Sequence, residues 1–379
     1  MTSRVAPASG AAATSRSLPS SASSLGLPRT RTGLLSFSSG YGETTRPVNG
    51  TTIVRGVEGM RYRGAILDDY QSVAMKVADW SPVKGDVDFT VFSDPLGPTD
   101  KVIAALKGMA VVCLMRERTS FGRPVIEALP DLKLIVTSGM RNAAIDVEAA
   151  TSRGVVVSGT ESPGNPTAEL TFGLMLELTR RIGFEDARLK AGARWQSTLG
   201  VELSGKTLGV VGLGKLGSRV ASFGKAFGMK IIAWSQNLTE EKAREAGATL
   251  VSKEDLFRQA DFVTVHLQLS GRTRGLIGAK EFALMKPTSY FINTSRGPIV
   301  EEAALLDTLK AKKIAGAGID VYDVEPLPLD HPIRKLDNAV ITPHLGYVTR
   351  ENYTRFYGQM VENIRAWLDG KPVRVMTPK

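Results

Sequence analysis

The sequence of 379 residues predicts an α/β protein with two doubly wound parallel sheets. Short apolar runs alternate with helical stretches along most of the chain, as in parallel strands joined by crossover helices. This alternation occurs in two blocks, which flank a long helical pattern at residues 166–191. A glycine-rich turn joins the first strand of the second block to its first helix. Together these observations predict two α/β units in one chain.

The first 59 residues are set apart by their composition. They carry six Arg, no Lys and only two acidic residues, and they are rich in Ser, Thr, Ala and Gly. Such a segment buries too little apolar surface to order itself, which predicts a disordered tail. The same composition is typical of an organellar transit peptide, and translation starting at Met60 is a third interpretation. We therefore expect a cytoplasmic protein, or an organellar one if the segment is a transit peptide.

The charge of the remaining chain does not indicate a nucleic-acid partner. The formal net charge is +10, of which the first 59 residues supply +4. The rest mixes both signs without a basic stripe, so we expect no nucleic-acid binding. No apolar run is long enough to predict a membrane span. The single cysteine, Cys113, excludes a disulfide framework and a cysteine metal cluster, and its apolar surroundings predict a buried structural residue.

The first block is predicted to contain five strands, at GAILDD, DFTVF, MAVVCLM, LKLIVTS and GVVVSG. Predicted helices lie between them at 99–107 and 145–153. The second block has apolar runs at TLGVVG, KIIAWS, DFVTVHL, SYFINT, IAGAGID and AVITP. Its predicted helices are 218–228, 239–246, 253–259 and 301–312, and an amphipathic helix at 350–368 ends the chain.

The motif GLGKLG, at 212–217, predicts a dinucleotide site because of its context. A strand precedes it, a helix follows it, and a second strand comes within about 30 residues. Gly212 would permit the turn, Gly214 would let the backbone approach the pyrophosphate, and Gly217 would let the helix pack on the strand. The N–H groups at the helix N-terminus would face the anion.

The end of the second strand leaves the choice of cofactor open. An NAD site usually has an acidic residue here, which bonds the ribose 2′-hydroxyl. The chain has Ser235, Gln236 and Asn237 instead. No carboxylate would repel the 2′-phosphate of NADP, but no Arg is there to bind it. The sequence therefore predicts NAD or NADP without distinguishing them.

Four polar residues follow strands of the second block, where ligand crevices form in such sheets. His344 could donate a proton, Arg296 could bind a carboxylate and a carbonyl oxygen, and Glu325 could orient an imidazole. Asp320 could bond a nicotinamide amide. Each also has a structural interpretation: a core histidine, a surface ion pair, or a turn or cap residue. His266 and His331 are the other two histidines.

With these residues, the sequence resembles the D-isomer-specific 2-hydroxyacid dehydrogenase family, in its glyoxylate and hydroxypyruvate reductase branch. The resemblance rests on GLGKLG, VHLQL, INTSRG, GIDVYDVEPLP and TPHLG, in the family's order and spacing. It implies a Rossmann cofactor domain inserted into a flavodoxin-like substrate domain. It also implies hydride transfer between NAD(P)H and a 2-keto acid, giving a D-2-hydroxy acid.

The resemblance also implies a role for individual residues. Arg296 would orient and polarise the keto acid, Glu325 would pair with His344, and His344 would protonate the carbonyl oxygen. Asp320 would hold the nicotinamide carboxamide. Six further residues would line the cofactor: Lys215 and Leu216 in the phosphate-contacting turn, with His266, Thr273, Thr294 and Gly346. Ser235 replaces the usual ribose-binding acid.

The substrate loops and the domain organisation are expected on the same basis. The backbone of Gly139 and Met140 would cradle the substrate carboxylate, with added charge from Arg116. The loop GMRNAAID departs from the family's pattern, so the substrate cannot be named. Residues 60–160 and 345–379 would form the substrate-binding domain, and 161–344 the dinucleotide-binding domain. The helix from Pro166 would help to form the arm of a homodimer.

Three alternatives accompany this interpretation. Formate dehydrogenases share the scaffold but call for Gln at the position of Glu325. Phosphoglycerate dehydrogenases often carry an added regulatory domain. A dinucleotide-sensing corepressor is the non-enzyme alternative, because such relatives retain the same catalytic residues.

Overall fold

The computed structural model describes residues 61–162, 164 and 166–378. The predicted tail or targeting segment, 1–59, lies outside the described residues. All strand pairs within the two sheets that follow are parallel.

The first sheet has five strands in the order β2-β1-β3-β4-β5. Its strands are β1 (Tyr62–Ile66), β2 (Val87–Val91), β3 (Val111–Leu114), β4 (Leu134–Thr137) and β5 (Val156–Ser158). Its helices are α1 (Ala74–Val77), α2 (Ser81–Lys84), α3 (Thr99–Leu106), α4 (Arg123–Glu127) and α5 (Val147–Ser152). β3 and β4 are buried along their whole length, as expected for central strands covered on both faces. The strand order is that of flavodoxin-like sheets.

One face of this sheet is covered by the last helix of the chain, α13 (Arg350–Leu368). Its buried aromatic residues Tyr353, Phe356, Tyr357 and Trp367 pack in one core with Cys113 and other residues of the central strands. Cys113 is a free, fully buried thiol, and burial raises its pKa to about 12. The prediction that this cysteine is buried is confirmed.

The second sheet has seven strands in the order β12-β11-β10-β9-β6-β7-β8. Its strands are β6 (Thr207–Val211), β7 (Lys230–Trp234), β8 (Thr249–Leu250), β9 (Phe262–Val265), β10 (Tyr290–Asn293), β11 (Gly316–Ile319) and β12 (Ala339–Ile341). Its helices are α8 (Lys215–Ala226), α9 (Glu240–Glu245), α10 (Lys253–Gln259), α11 (Ala279–Leu284) and α12 (Glu302–Lys310). Read from the other edge, this is the Rossmann order extended by one strand. The predicted fold class is confirmed.

The sequence analysis missed only short elements. β8 has two residues, and each of the helices α1, α2, α4 and α11 has four to six. These elements are too short to give a periodic pattern. The helix predicted at 218–228 begins earlier, at Lys215. Lys215 and Leu216 therefore lie in the first turn of α8, and the predicted phosphate-contacting turn ends at Gly214.

The long helix predicted at 166–191 is wrong as a single element. It divides into α6 (Pro166–Arg180) and α7 (Ile182–Lys190), because Arg181 adopts a left-handed conformation with φ of 50°. The Glu177 carboxylate stabilises the break by accepting the Gly183 N–H at 2.9 and 3.2 Å. Buried residues of α6 pack in one core with residues of β6 and α8. No residue of α7 is buried. Among the described residues, no helix combines the length and apolar character of a membrane span.

Candidate active site

The polar residues predicted from the sequence lie at the carboxyl ends of strands in both sheets, where open α/β sheets form crevices. Arg116 and Glu117 follow β3, and Arg296 follows β10. A hydrogen-bonded ion pair between Arg296 and Glu117 joins residues of the two sheets. The carboxyl edges of the sheets therefore face one another across a single cleft.

The glycine motif has the geometry that a dinucleotide requires. Gly212 adopts φ of 99°, and a Cβ on Gly217 would lie 2.0 Å from the Gly212 carbonyl oxygen. Both positions are therefore restricted to glycine by the protein itself. Gly214 is exposed, and a Cβ there would meet no atom within 4 Å. The first N–H groups of α8 have no acceptor within the helix, so this open turn can bind a pyrophosphate.

The other predicted cofactor residues are distributed around the same edge. Ser235 follows β7 and is half-buried, and its carbonyl accepts the Leu238 N–H at 3.1 Å. The Thr273 hydroxyl donates to the Gln268 carbonyl at 2.7 Å and so fixes an exposed turn. His266 Nε2 lies 2.6 Å from the Thr264 hydroxyl.

The His266 ring carries no positive charge at neutral pH. Burial lowers its pKa to about 3. Its buried Nδ1 has no hydrogen-bond partner among the residues that the structure describes. An unpartnered buried nitrogen next to the glycine turn is consistent with a neutral residue beside a bound cofactor.

The proposed acid and its partner are in direct contact. His344 Nδ1 lies 2.6 Å from Glu325 Oε2, and the imidazole is 19% exposed. The Tyr322 N–H donates to the other Glu325 oxygen at 2.9 Å. Burial acts to raise the pKa of Glu325, but the hydrogen bond and charge of His344, the Tyr322 N–H and the charge of Arg296 together lower it. Glu325 is therefore a carboxylate at neutral pH and can hold the proton of His344 on Nδ1, which leaves Nε2 as the nitrogen that can exchange a proton with a substrate.

Asp320 holds the backbone of the loop that carries His344. Its carboxylate accepts the Thr342 hydroxyl at 2.6 Å and the N–H groups of Leu345 and Gly346 at 2.7 and 2.9 Å. The side chain is fully buried, and burial raises its pKa although these hydrogen bonds oppose the shift. His344 itself adopts φ of 53°, a conformation that needs such support from the surrounding structure.

A second set of hydrogen bonds connects this loop to α6. The Thr167 hydroxyl donates to the Gly346 carbonyl at 2.7 Å. The hydroxyls of Thr171 and Thr294 lie 3.0 Å apart and are buried between α6 and the end of β10. Gly346 and Thr294 thus support the cleft wall, and their predicted contact with a cofactor remains a prediction.

Arg296 is held by residues of both sheets. Its Nη1 donates to the Ser295 carbonyl at 2.7 Å, and its Nη2 lies 3.1 Å from each carboxylate oxygen of Glu117. The side chain remains 31% exposed. Its Nε has no partner among the described residues and is available to a ligand in the cleft.

The predicted substrate loop contains one available N–H group. The Gly139 N–H is occupied because it donates to the Thr160 hydroxyl at 2.9 Å. The neighbouring N–H of Met140 has no partner among the described residues. Arg116 lies against this loop, with Nη1 only 2.1 Å from where a Gly139 Cβ would be and 3.4 Å from the Ser138 carbonyl. An anion at this point would meet Met140 and Arg116 rather than the Gly139 N–H.

The structure thus brings His344, Glu325, Asp320 and Arg296 together at one edge. His331 belongs to a different cluster, where its Nε2 lies 3.1 Å from Glu302.

The sequence analysis did not identify Glu117, Arg118 or Tyr347. Arg118 Nε donates to the Tyr347 hydroxyl, and its guanidinium lies over the Tyr70 ring at 4.6 Å. The Tyr347 and His344 rings meet edge to face at 5.5 Å. Glu117 and Arg118 lie next to Arg116 after β3, so the family resemblance that identified Arg116 could have directed attention to both.

Comparisons with known proteins identify the family of the chain. Residues 172–346 match the family model described as D-isomer specific 2-hydroxyacid dehydrogenase, NAD binding domain. The chain is 41% identical over 258 residues to a glyoxylate reductase of Aeropyrum pernix, covering 65% of this chain and 76% of that protein. It is 41% identical over 266 residues to a D-3-phosphoglycerate dehydrogenase of Methanocaldococcus jannaschii, covering 69% of this chain. The match spans only 50% of that longer relative.

Solved structures give the same result. A phosphoglycerate oxidoreductase from Vibrio cholerae O395 superposes with a TM-score of 0.77 and 36% sequence identity. The match covers 82% of this chain and 99% of that one. The fold is therefore shared with enzymes of known structure.

Proposed function

Because the chain belongs to the D-isomer-specific 2-hydroxyacid dehydrogenase family, we propose that it reduces a short 2-keto acid such as glyoxylate or hydroxypyruvate. The observation that carries this proposal is the 2.6 Å contact between His344 and Glu325 at the mouth of the cleft. It supplies an oriented acid next to a guanidinium that can bind the substrate.

The class of reaction follows from family membership. The predicted oxidoreductase activity, hydride transfer between a nicotinamide dinucleotide and a 2-keto or 2-hydroxy acid, is confirmed. NAD(P) is the cofactor of this class. The relatives reported above are reductases, dehydrogenases or oxidoreductases, so the corepressor alternative has no support.

We assign the dinucleotide to the glycine turn, with Gly212, Gly214 and Gly217 shaping the backbone and the first turn of α8 facing the pyrophosphate. When bound, the cofactor would supply the hydride that reduces the keto carbon. Ser235 leaves the adenosine ribose without a carboxylate partner. The assignment of Asp320 to the carboxamide has less support, because its oxygens already accept three hydrogen bonds.

The chain's own residues would supply substrate binding and the proton. The Met140 N–H and Arg116 would bind the substrate carboxylate, and the free Nε of Arg296 would bind the keto oxygen. His344 would donate its Nε2 proton to that oxygen as the carbon is reduced. Glu325 would stabilise the imidazolium beforehand. In the reverse direction a neutral His344 would accept the hydroxyl proton.

The test is oxidation of NADPH and of NADH by the purified protein, measured against a panel of 2-keto acids. Turnover of glyoxylate or hydroxypyruvate, with the D-hydroxy acid as product, is the expected result. Tight dinucleotide binding without turnover of any acid would contradict the proposal. The ratio of kcat/KM for the two cofactors measures what Ser235 prefers.

The two sheets are proposed to bind different ligands. We assign substrate binding to 60–160 and 345–379, and cofactor binding to 161–344. The packing of α13 on the first sheet and the glycine turn in the second support this assignment. Cytoplasmic residence is proposed on the single reduced thiol, and the alternative of an organelle depends on 1–59.

We further propose a homodimer through α7 and the segment that follows it. Five apolar side chains are exposed there: Ile182, Phe184, Leu189, Trp195 and Leu199. The segment is folded back on α7, since Glu185 Oε1 accepts hydrogen bonds from Ser197 and Thr198. An ordered apolar surface without a cover favours a second copy as its partner. The Trp195→Asp variant should shift the molar mass measured by light scattering from dimer to monomer, whereas Leu329→Asp, at another exposed apolar position, should not.

A further inference from the structure

We propose that Glu117 determines substrate specificity: it admits 2-keto acids with a single carboxylate and excludes those that carry a second anionic group. This inference rests on the proposed function, because it deepens the substrate class of the same cleft. The argument starts from the position of Glu117 between the two guanidinium groups that are assigned to the substrate.

The carboxylate of Glu117 forms an ion pair with Arg296, which is assigned to the substrate. Both of its oxygens lie 3.1 Å from Arg296 Nη2, and Oε2 lies 3.8 Å from Arg116 Nε. The three side chains are each between 25% and 31% exposed. A carboxylate of the protein thus takes up part of the positive charge that would otherwise attract a substrate anion.

Glu117 keeps its negative charge at neutral pH. Burial acts to raise its pKa, but the charges of Arg296 and Arg116 and the hydrogen bond from Arg296 lower it overall. An ionised group in a partly desolvated cleft repels a nearby anion more strongly than a group in water would.

Two further arginines near the cleft are either bonded within the protein or exposed to solvent. Arg118 is bonded to Tyr347 and stacked on Tyr70, and the Asp68 carboxylate is close enough to feel its charge. Arg141 is exposed and reaches Gln268 at 3.5 Å, so solvent and salt screen its charge. Arg116 and the Met140 N–H can neutralise one substrate carboxylate. A phosphate or second carboxylate placed near Glu117 would meet its negative charge.

This charge pattern helps to choose between unphosphorylated and phosphorylated substrates, which the relatives do not distinguish. Their names include both glyoxylate reductase and D-3-phosphoglycerate dehydrogenase, at the same 41% identity. Overall similarity therefore does not separate unphosphorylated from phosphorylated acids. Glu117 favours the unphosphorylated class for this chain.

The experiment compares hydroxypyruvate with 3-phosphohydroxypyruvate, which differ only by the phosphate. We expect the wild-type enzyme to favour hydroxypyruvate in kcat/KM. Glu117→Gln keeps the size and removes the charge, so it should raise the relative kcat/KM for the phosphate ester about 10- to 100-fold. Glu117→Asp keeps the charge and should retain the discrimination. Glu127→Gln, at an exposed ion pair with Arg123, is the matched control and should change nothing.

A binding measurement separates this inference from the proposed function. Calorimetry of D-glycerate and D-3-phosphoglycerate in the presence of oxidised cofactor reports discrimination without turnover. If no keto acid is reduced, the proposed function fails, and the binding ratio still tests Glu117. A wild-type enzyme that accepts both acids equally overturns the inference. So does a Glu117→Gln variant that changes both acids by the same factor in kcat/KM and in affinity.

Discussion

The carboxyl edges of the two sheets hold their carboxylates in different ways. On the seven-stranded sheet, Glu325 and His344 belong to the same edge, and the backbone N–H of Tyr322 and the carboxylate of Asp320 fix both. On the five-stranded sheet, Glu117 finds its partner Arg296 on the opposite sheet. The first contact is independent of the width of the cleft, whereas the second depends on it. We thus assign proton transfer to the edge of the seven-stranded sheet, which we call the rigid edge because its contacts lie within one sheet. Discrimination between substrates is assigned to the contact between the two sheets.

The largest effect should come from the rigid edge. Replacing His344 with Asn removes the proton donor and should lower kcat about 100- to 10,000-fold, with cofactor binding retained. The control is His331→Asn, which removes the other histidine paired with a glutamate, and it should leave kcat unchanged. Steady-state kinetics with the best keto acid measure both. A His344→Asn enzyme within tenfold of wild type would mean that another group donates the proton.

Arg296 pairs with Glu117, and its charge also lowers the pKa of Glu325, so its loss should rank second. Arg296→Ala should raise KM and lower kcat together, reducing kcat/KM about 100-fold, because binding and polarisation of the keto oxygen are lost at once. Arg296→Lys keeps the charge without the planar fork and should recover only part of the activity. Unchanged kinetics in the alanine variant would remove Arg296 from the site.

Glu325→Gln should have an intermediate effect. The carboxylate of Glu325 lies 2.6 Å from His344 Nδ1 and orients the imidazole that donates the proton. Gln keeps the size of the side chain but removes the negative charge, so we expect about a tenfold loss of kcat for keto-acid reduction at neutral pH. Steady-state kinetics measure this loss, and a Glu325→Gln enzyme with the wild-type kcat would show that Glu325 does not act through the imidazole.

The smallest effect concerns acid stability. The pKa of Glu117 is lower in the folded protein than its ordinary value, so its ion pair stabilises the fold above about pH 4.3. This contribution is lost as the pH falls through the folded pKa. Glu117→Gln should therefore flatten the dependence of the unfolding free energy on pH below about pH 5, measured with denaturant. Glu127→Gln should retain the wild-type slope, and two parallel profiles would show that the pair contributes nothing to stability.

The sequence predicted those parts of the fold that depend on local pattern. β3 and β4 are continuous apolar runs, and the turn at Gly212 belongs to a motif, so the sequence predicted all three elements. Site residues at strand ends were found by the same rule. His344 and Glu325, separated by 19 residues, meet because two neighbouring parallel strands end side by side.

Contacts between the sheets were not accessible to such reasoning. Glu117 and Arg296 are 179 residues apart, and nothing in the pattern of either sheet says how the two face each other. The break at Arg181 was missed for a related reason. The apolar pattern continues into α7, and only the absence of a core beneath it and the capping by Glu177 distinguish the two helices.

Two glycines of the motif, Gly217 and Gly214, are required for different reasons. Gly217 has no room for a Cβ because the Gly212 carbonyl lies beneath it, so the fold alone demands this glycine. Gly214 faces open space, and a side chain there would be harmless to folding. A descendant that had abandoned its ligand would still need the third glycine, but selection on the second would relax. Substitution at Gly214, rather than erosion of the whole motif, would be the first mark of a pseudoenzyme in this lineage.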